Sequence, residues 1–240
     1  MPENEKNCLI IGGSSGIGKS IAEKLSRSDF KLWCASRNKI DDYEKWGINY
    51  IELDVTDDSV SVLEGILPET LNGLVYCPGT INLKPFQALK IEDFLNDIEL
   101  NLLGAVRILQ ACRKRLEKSN DASVVLFSTV ATRVGMNYHA SIAAAKSAVE
   151  GLAISLAAEW ARHNIRVNVI APSLTDTPLA AGLLGDEKRR KASAERHPLK
   201  RTGHPGDIAS AVVYLLGPNA DWVTGQVFSV DGGLSKLKPM

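Results

Sequence analysis

The sequence predicts an α/β fold: one doubly wound, seven-stranded parallel sheet with helices on both faces. Three observations predict it. A short β-branched run enters a Gly-rich turn and leaves it as a helix. Strand-like and helix-like stretches then alternate to the C-terminus. The 240 residues hold no Pro/Ser-rich linker, low-complexity run or internal repeat, so the chain reads as a single domain over 1–240.

The first strand, over 8–11, is apolar throughout, as in a strand buried on both faces. Next comes the turn Gly12-Gly13-Ser14-Ser15-Gly16-Ile17-Gly18. Ile17, Ile21, Ala22 and Leu25 then recur at helical spacing up to about Arg27. Glycine lets the backbone turn sharply and approach an anion, and the N–H groups of the helix start point at that anion. Ser14 and Ser15 add hydroxyl donors. The loop is read as the phosphate site of a dinucleotide.

Strands two, three and four are expected over 30–35, 49–53 and 74–77; the third runs into Asp54-Val55, and the fourth, ending in Cys77, stops at Pro78-Gly79. A helical stretch over 91–116 contains Asn101, and the fifth strand covers 123–128. An Ala-rich helix over 138–162 carries Lys146. The sixth strand, 165–171, is ended by Pro172. A polar segment over 173–202, with Leu174, Thr175 and Thr177 near its start, is broken by Pro178, Gly182 and Gly185 and reads as a mobile lid. A helix over 205–216 has Pro at its first turn, and a strand over 226–230 closes the sheet. Right-handed crossovers bring Gly12, Arg37, Asp54, Pro78, Ser128 and Pro172 to the C-terminal strand ends, where ligands bind in such sheets.

Composition removes other classes. Lys plus Arg and Asp plus Glu number 28 each, so no excess charge points to nucleic acid or an anionic membrane. The first six residues lack the apolar core of a signal peptide, and no apolar run is expected to span a membrane. Cys8, Cys34, Cys77 and Cys112 are widely spaced and read as reduced, packed thiols; the four histidines lack metal-ligand spacing. No metal is expected, and the cytoplasm is the expected compartment.

Taken in register, these motifs resemble the short-chain dehydrogenase/reductase family over nearly the whole chain. The matching residues are Gly12-x-x-x-Gly16-Ile17-Gly18, Asp54-Val55, Asn101, Ser128-Thr129-Val130-Ala131, Lys146, Arg166-Val167-Asn168, Pro172, and Val223-Thr224-Gly225-Gln226 through Asp231-Gly232-Gly233. The resemblance implies a Rossmann fold, a dinucleotide lying across the strand ends, and hydride exchange between nicotinamide and a carbonyl or alcohol. It implies a Ser–Tyr–Lys set, assisted by Asn, for the proton, with the lysine on the nicotinamide ribose and Thr177 near the nicotinamide amide and diphosphate. It also implies a homodimer or homotetramer paired through the long helices, here near 91–116 and 138–162, and through the last strand. The stripe Ala144, Ala148, Leu152 and Ser155 suits either such pairing or a sheet-facing side.

Side-chain chemistry adds detail. The Asp54 carboxylate can accept from an adenine amine, with Val55 beside the ring, or simply close a strand-end turn. An acid after the second strand would hold the ribose 2′-OH of NAD, but neither Ala35 nor Ser36 is acidic and Arg37 follows. Arginine suits a 2′-phosphate, so NADP(H) is favoured over NAD(H).

The pattern breaks at one place that matters. Four residues before Lys146, where the family has its reactive tyrosine, stands Ile142, which handles no proton; thirteen residues earlier Thr129 replaces the serine and keeps a hydroxyl. Milder departures are Cys77-Pro78 before Gly79 and Ser173 after Pro172, where the family has Asn-Ala and Gly. On a helix, Tyr138 would lie about 40° and His139 about 60° from Ile142, so both are candidate relocated acids, with His139 ahead by its pKa range. The substrate is expected beside 80–85, 133–139 and 172–198, with Val134, Leu179, Ala180 and Leu183 as an apolar wall and Arg133 drawing an anionic group. Two functions follow. One is an NADP(H)-dependent oxidoreductase acting on a carbonyl or alcohol, with Asn101, Thr129, Lys146, His139 and Tyr138 as its catalytic candidates. The other is an NADP(H)-binding sensor or partner subunit without turnover.

Overall fold

The computed structural model describes residues 6–238, apart from the Asp58 side chain. The expectation of no signal-peptide core therefore lies, except for Lys6, outside the described residues. Among the described residues, seven parallel strands form one sheet: β1 (Lys6–Ile11), β2 (Phe30–Ser36), β3 (Asn49–Glu52), β4 (Gly73–Tyr76), β5 (Ala122–Phe127), β6 (Ile165–Pro172) and β7 (Val227–Val230). Their order is β3-β2-β1-β4-β5-β6-β7, which reverses direction between β1 and β4. Ile11 pairs with Ala35 on one side and Tyr76 on the other, Phe127 pairs with Ile170, and Pro172 with Val230. The expected sheet is thus present, with each strand within two residues of its expected start.

The period of two along each strand divides the core. Leu9, Ile11, Val124 and Leu126 point to one face, while Cys8, Ile10, Val125 and Phe127 point to the other. The helices are α1 (Gly16–Leu25), α2 (Asp42–Lys45), α3 (Leu63–Ile66), α4 (Ile91–Ile98), α5 (Gly104–Ser119), α6 (Ala140–Trp160), α7 (Glu187–Arg196) and α8 (Pro205–Leu216). α5 and α6 cover the first face through Ala105, Ile108, Cys112, Leu116, Val149, Ala153 and Ala157. α1 and α8 cover the second through Ile21, Ala22, Leu25, Ile208, Ala209 and Val212. Each fully buried Leu or Ile among them contributes roughly 1.5–3 kcal/mol. The four cysteines are free, three of them buried.

Three expectations need correction. The stretch over 91–116 is not one α-helix: a π-turn, Glu99–Leu103, separates α4 from α5 and contains Asn101. Its wider turn admits an extra residue, which a sequence periodicity of 3.6 does not register. The Ala-rich helix begins two residues late. Tyr138 has φ +70° and His139 φ −104°, so Ala140 opens α6 and the helical angles assigned to Tyr138 and His139 do not apply. Finally, the helical span Ala140–His163 is long and apolar enough by composition to cross a membrane, contrary to expectation. Alanine raises its hydropathy, yet Ala145, Val149, Ala153 and Ala157 pack on the sheet, as in a core helix. The stripe Ala144, Ala148 and Ser155 faces away from the sheet, with Leu152 half-buried at its margin.

Candidate active site

Two connected cavities open at the C-terminal ends of the strands, beside the point where the strand order reverses. The larger is a groove of about 750 Å³ running from the Gly-rich loop across β2 and β3. Gly12, Ser14, Ser15, Gly16, Ile17, Gly18, Arg37, Asp54, Val55, Cys77, Pro78, Gly79 and Thr177 all line it.

The loop is shaped by close approach. Gly16 has φ +52°, and a Cβ there would lie 3.2 Å from the Thr177 side chain; a Cβ on Gly18 would collide with the Gly12 carbonyl. Ser15 is the N-cap of α1, but its side chain caps nothing. An anion at this end therefore meets uncapped N–H groups and a positive helix end. The donor set fits the diphosphate of a dinucleotide.

Farther along, Asp54 Oδ1 accepts from the Thr56 amide at 3.0 Å and its hydroxyl at 2.7 Å. Those bonds, with a smaller pull from Arg37, hold the Asp54 carboxyl below the usual range. The turn-closing role of Asp54 is realised, and the residue still faces the groove. Arg37 is exposed at the groove's rim, with Asn38 beside it.

The second cavity, about 330 Å³, is lined by Thr129, His139, Ile142, Lys146, Pro172, Leu174 and Thr175. Lys146 is buried, not a snorkelling surface lysine. Its Nζ donates to the Phe127 carbonyl at 3.0 Å, and burial pulls its pKa down to about 8 against the opposing influence of Cys77 and Asp97. Gly79 brings the two lysine-side groups together: a Cβ on it would lie 3.2 Å from Asn101 Oδ1 and 3.4 Å from Lys146 Nζ. Asn101 Nδ2 donates to the Asp97 carbonyl at 2.8 Å and to Thr80 Oγ1 at 3.0 Å, which leaves its Oδ1 buried and unpartnered. The π-turn thus turns a polar side chain inward where a regular helix would continue.

Thr129 Oγ1 accepts from the Ala131 amide at 3.3 Å and caps a short 3₁₀ turn. Ile142 is 5% exposed and supplies only hydrocarbon. Of the two expected relocated acids, His139 faces the cavity, with Nδ1 2.7 Å from the Asn137 carbonyl. Tyr138 does not: its left-handed backbone turns it out, it is 56% exposed, and it is absent from the cavity lining. Arg133 and Val134 also lie outside the lining; Arg133 stands 3.9 Å from Glu150. Leu179, Ala180 and Leu183 do form the apolar wall. The segment bearing them forms a 3₁₀ turn, Pro178–Leu183, and α7, on which Lys188, Arg189, Arg190 and Lys191 are exposed. Thr177 both lines the cavities and caps that turn through the Ala180 amide.

Two groups escaped sequence reasoning. Asp97, 1% exposed, takes a hydrogen bond from Thr80 Oγ1 at 2.5 Å and sits one turn before Asn101, a spacing visible in the sequence. Ser173 and His197 also line the smaller cavity, bonded to each other at 2.9 Å. The signal there was Ser173 itself, a hydroxyl at a position the resemblance assigns to glycine.

Comparison with known proteins agrees with this architecture. A family model described as enoyl-(acyl carrier protein) reductase matches residues 12–235. A tropinone reductase homolog of Arabidopsis thaliana is 34% identical over 243 residues, covering 95% of this chain and 92% of the relative. A short-chain type dehydrogenase/reductase from Mycobacterium ulcerans superposes with a TM-score of 0.89 at 28% identity, covering 96% of this chain and 90% of that one. ElxO with NADP bound superposes at 0.87 with 27% identity, covering 97% and 100%.

Proposed function

The chain belongs to the short-chain dehydrogenase/reductase family of oxidoreductases, and on that premise we propose that it acts on a carbonyl or alcohol with NADP(H) as cofactor. The observation that carries this reading is the join between the two cavities: a groove that fits a dinucleotide leads into a pocket holding a buried lysine. Gly12 to Gly18 and the start of α1 hold the diphosphate. Val55 and Asp54 flank the adenine, and Arg37 meets a 2′-phosphate with charge and paired donors. Lys146 holds the nicotinamide ribose, with Pro172, Leu174, Thr175 and Thr177 bordering the nicotinamide end. When bound, the cofactor supplies or accepts a hydride. Lys146, with a pKa near 8, keeps its charge through neutral pH and donates to oxygen. Thr129 offers its hydroxyl to a substrate oxygen, and Leu179, Ala180 and Leu183 exclude water. The NADP carried by ElxO supports the cofactor choice by analogy.

The test is NADPH consumption over a panel of ketones, aldehydes and quinones, with NADPH and NADH binding measured on the same preparation. Turnover with tighter NADPH binding is the expected result; NADH binding tightly with NADPH excluded overturns the cofactor choice. Ile142, buried where the family places its tyrosine, supports the second reading of a silent NADP(H)-binding sensor. Tight NADPH binding with no turnover on any panel member selects it.

The exposed Ile91, Leu95 and Leu103 support a homodimer or homotetramer through the α4–α5 face. Light scattering that finds a monomer at micromolar concentration overturns that assembly. The four free cysteines support a reducing, cytoplasmic setting.

A further inference from the structure

We propose that Ser173 and His197 are the proton-handling pair of this pocket, with the Ser173 hydroxyl meeting the substrate oxygen and His197 setting its proton. The inference rests on the oxidoreductase reading above.

Ile142 leaves the pocket without a phenol, so a proton must come from another group on the same wall. Lys146 Nζ gives one of its hydrogens to the Phe127 carbonyl, and Thr129 Oγ1 accepts from the Ala131 amide and keeps its own O–H, but neither is joined to a titratable partner that resupplies a proton. Ser173 and His197 differ from both because they form a connected chain. His197, 3% exposed, places Nδ1 2.8 Å from the Ser193 carbonyl oxygen and Nε2 2.9 Å from Ser173 Oγ. A carbonyl only accepts, so Nδ1 carries a hydrogen whatever the state of the ring. All variation in protonation is therefore confined to Nε2, the nitrogen that faces Ser173.

Two states share these heavy-atom positions. With a neutral ring, Ser173 Oγ–H donates to Nε2 and the Oγ lone pairs face the cavity, ready to take a proton from an alcohol. With an imidazolium, Nε2–H donates to Oγ, and the hydroxyl hydrogen is free to point at a carbonyl oxygen. In the reductive direction the Oγ–H bond breaks as the substrate O–H bond forms. Oγ recovers its proton from Nε2, and the ring ends neutral until solvent reprotonates it. The electron pair arrives with the hydride of the nicotinamide dinucleotide, so these residues move only the proton. Oxidation of an alcohol runs the same transfers in reverse.

The fold holds the pair in place. Pro172 ends β6, so Ser173 is the first residue beyond the sheet. The Ser128 amide donates to the Ile170 carbonyl at 2.8 Å, which sets the ends of β5 and β6, and hence Thr129 and Ser173, beside one another. On the other side, His197 packs against the turn after β7, where a Cβ on Gly232 would lie 3.6 Å from its Cδ2. The charged and titratable groups around the ring are Asp231 on that turn and, in the lining of the same cavity, Arg196, Lys146, His139 and Cys77. Burial resists ionisation of Asp231, but hydrogen bonds from Ser235 and Gly233, with His197 adding to them, hold its carboxyl below the usual range.

The decisive experiment combines kinetics with imidazole ¹⁵N NMR on the full chain. Ser173→Ala is expected to lower kcat about a hundredfold or more, within the ordinary worth of a general acid, while the Kd for NADPH stays within about twofold. Ser173→Thr restores kcat to within about tenfold of the parent. His197→Gln, a change at a positioning residue, removes the ionisation from the kcat–pH profile. In the parent, Nδ1 of His197 is protonated across the titration, and Ser173→Ala moves its midpoint. Should His197→Gln fail to fold, Ser173→Gly carries the kinetic test alone, since glycine is what the family holds there. Retention of kcat by Ser173→Ala, an unmoved His197 titration, or loss of turnover in His139→Gln alone overturns the pair and leaves the oxidoreductase reading intact. Absence of turnover by the parent on every panel member overturns both.

Discussion

The dinucleotide groove and the substrate pocket share Ile17, Cys77, Gly79, Thr80, Thr177 and Leu179, yet they are built in opposite ways. The groove is a backbone device. One end comes from seven consecutive residues, four of them glycines, where missing side chains and free N–H groups leave room for an anion. The pocket is a side-chain device, assembled from the end of β5, the first turns of α6, the residue after β6 and the last turn of α7. The first kind tolerates almost no addition of atoms. The second is closed by side chains, and the hydrocarbon of Ile142 completes its wall.

The sharpest way to break this contrast is one methyl group in the groove. Gly18→Ala drives a Cβ into the Gly12 carbonyl. NADPH affinity should fall about a hundredfold, near 3 kcal/mol, by titration calorimetry. Retained affinity would mean that the groove has room for added atoms.

Lys146→Met tests the smaller cavity beside Gly79, one of the residues that both cavities share. Below pH 8 the lysine is charged in both folded and unfolded chains, and the folded chain bears the whole cost of burying it. Between about 8 and the ordinary 10.5 the unfolded chain still binds a proton that the folded one has lost, so stability rises with pH. Removing the charge should raise the stability of the free protein by about 2 kcal/mol at pH 7, after allowing for the lost bond to Phe127. The gain should shrink between pH 8 and 10.5 in denaturant titrations, while cofactor binding weakens. A loss of stability at pH 7 would show the lysine to be a structural part of the core.

At the rim, Arg37→Ala should weaken NADPH binding about tenfold and leave NADH binding within about twofold. Equal loss for both cofactors would remove the 2′-phosphate from the account. The smallest effect is expected at Ile142. With a working Ser173–His197 pair, Ile142→Tyr should raise kcat less than about tenfold, whereas a pocket lacking any proton donor would gain about 10²–10⁴.

The same contrast explains what the chain disclosed before folding. The seven parallel strands, the Gly-rich turn and the placing of Arg37 and Asp54 at the strand ends depend on short-range pattern and on which strand ends must cluster, so they were legible; the strand order was not among those expectations. Lys146 was legible as a position, but its burial required the sheet behind it. Tyr138 was misplaced because a helical repeat does not show where φ turns positive. Asn101 was placed on a helix without its π-turn, since an extra residue in one turn leaves the apolar spacing on either side intact. The contact between Ser173 and His197 spans 24 residues and exists only once α7 folds back over the end of β6. No local pattern announces such a contact.

That π-turn has a consequence at the level of the gene. A turn holding one residue too many is what remains when a single codon is inserted into a helix and the flanking turns keep their grip on the core. The reverse change is equally small. Loss of one codon within 99–103 would heal the turn into continuous α-helix, with α4 and α5 keeping their outer and inner faces and Asn101 carried off its mark beside Gly79. One deletion there therefore moves Asn101 away from Gly79 while the sheet and the groove at its strand ends keep their places.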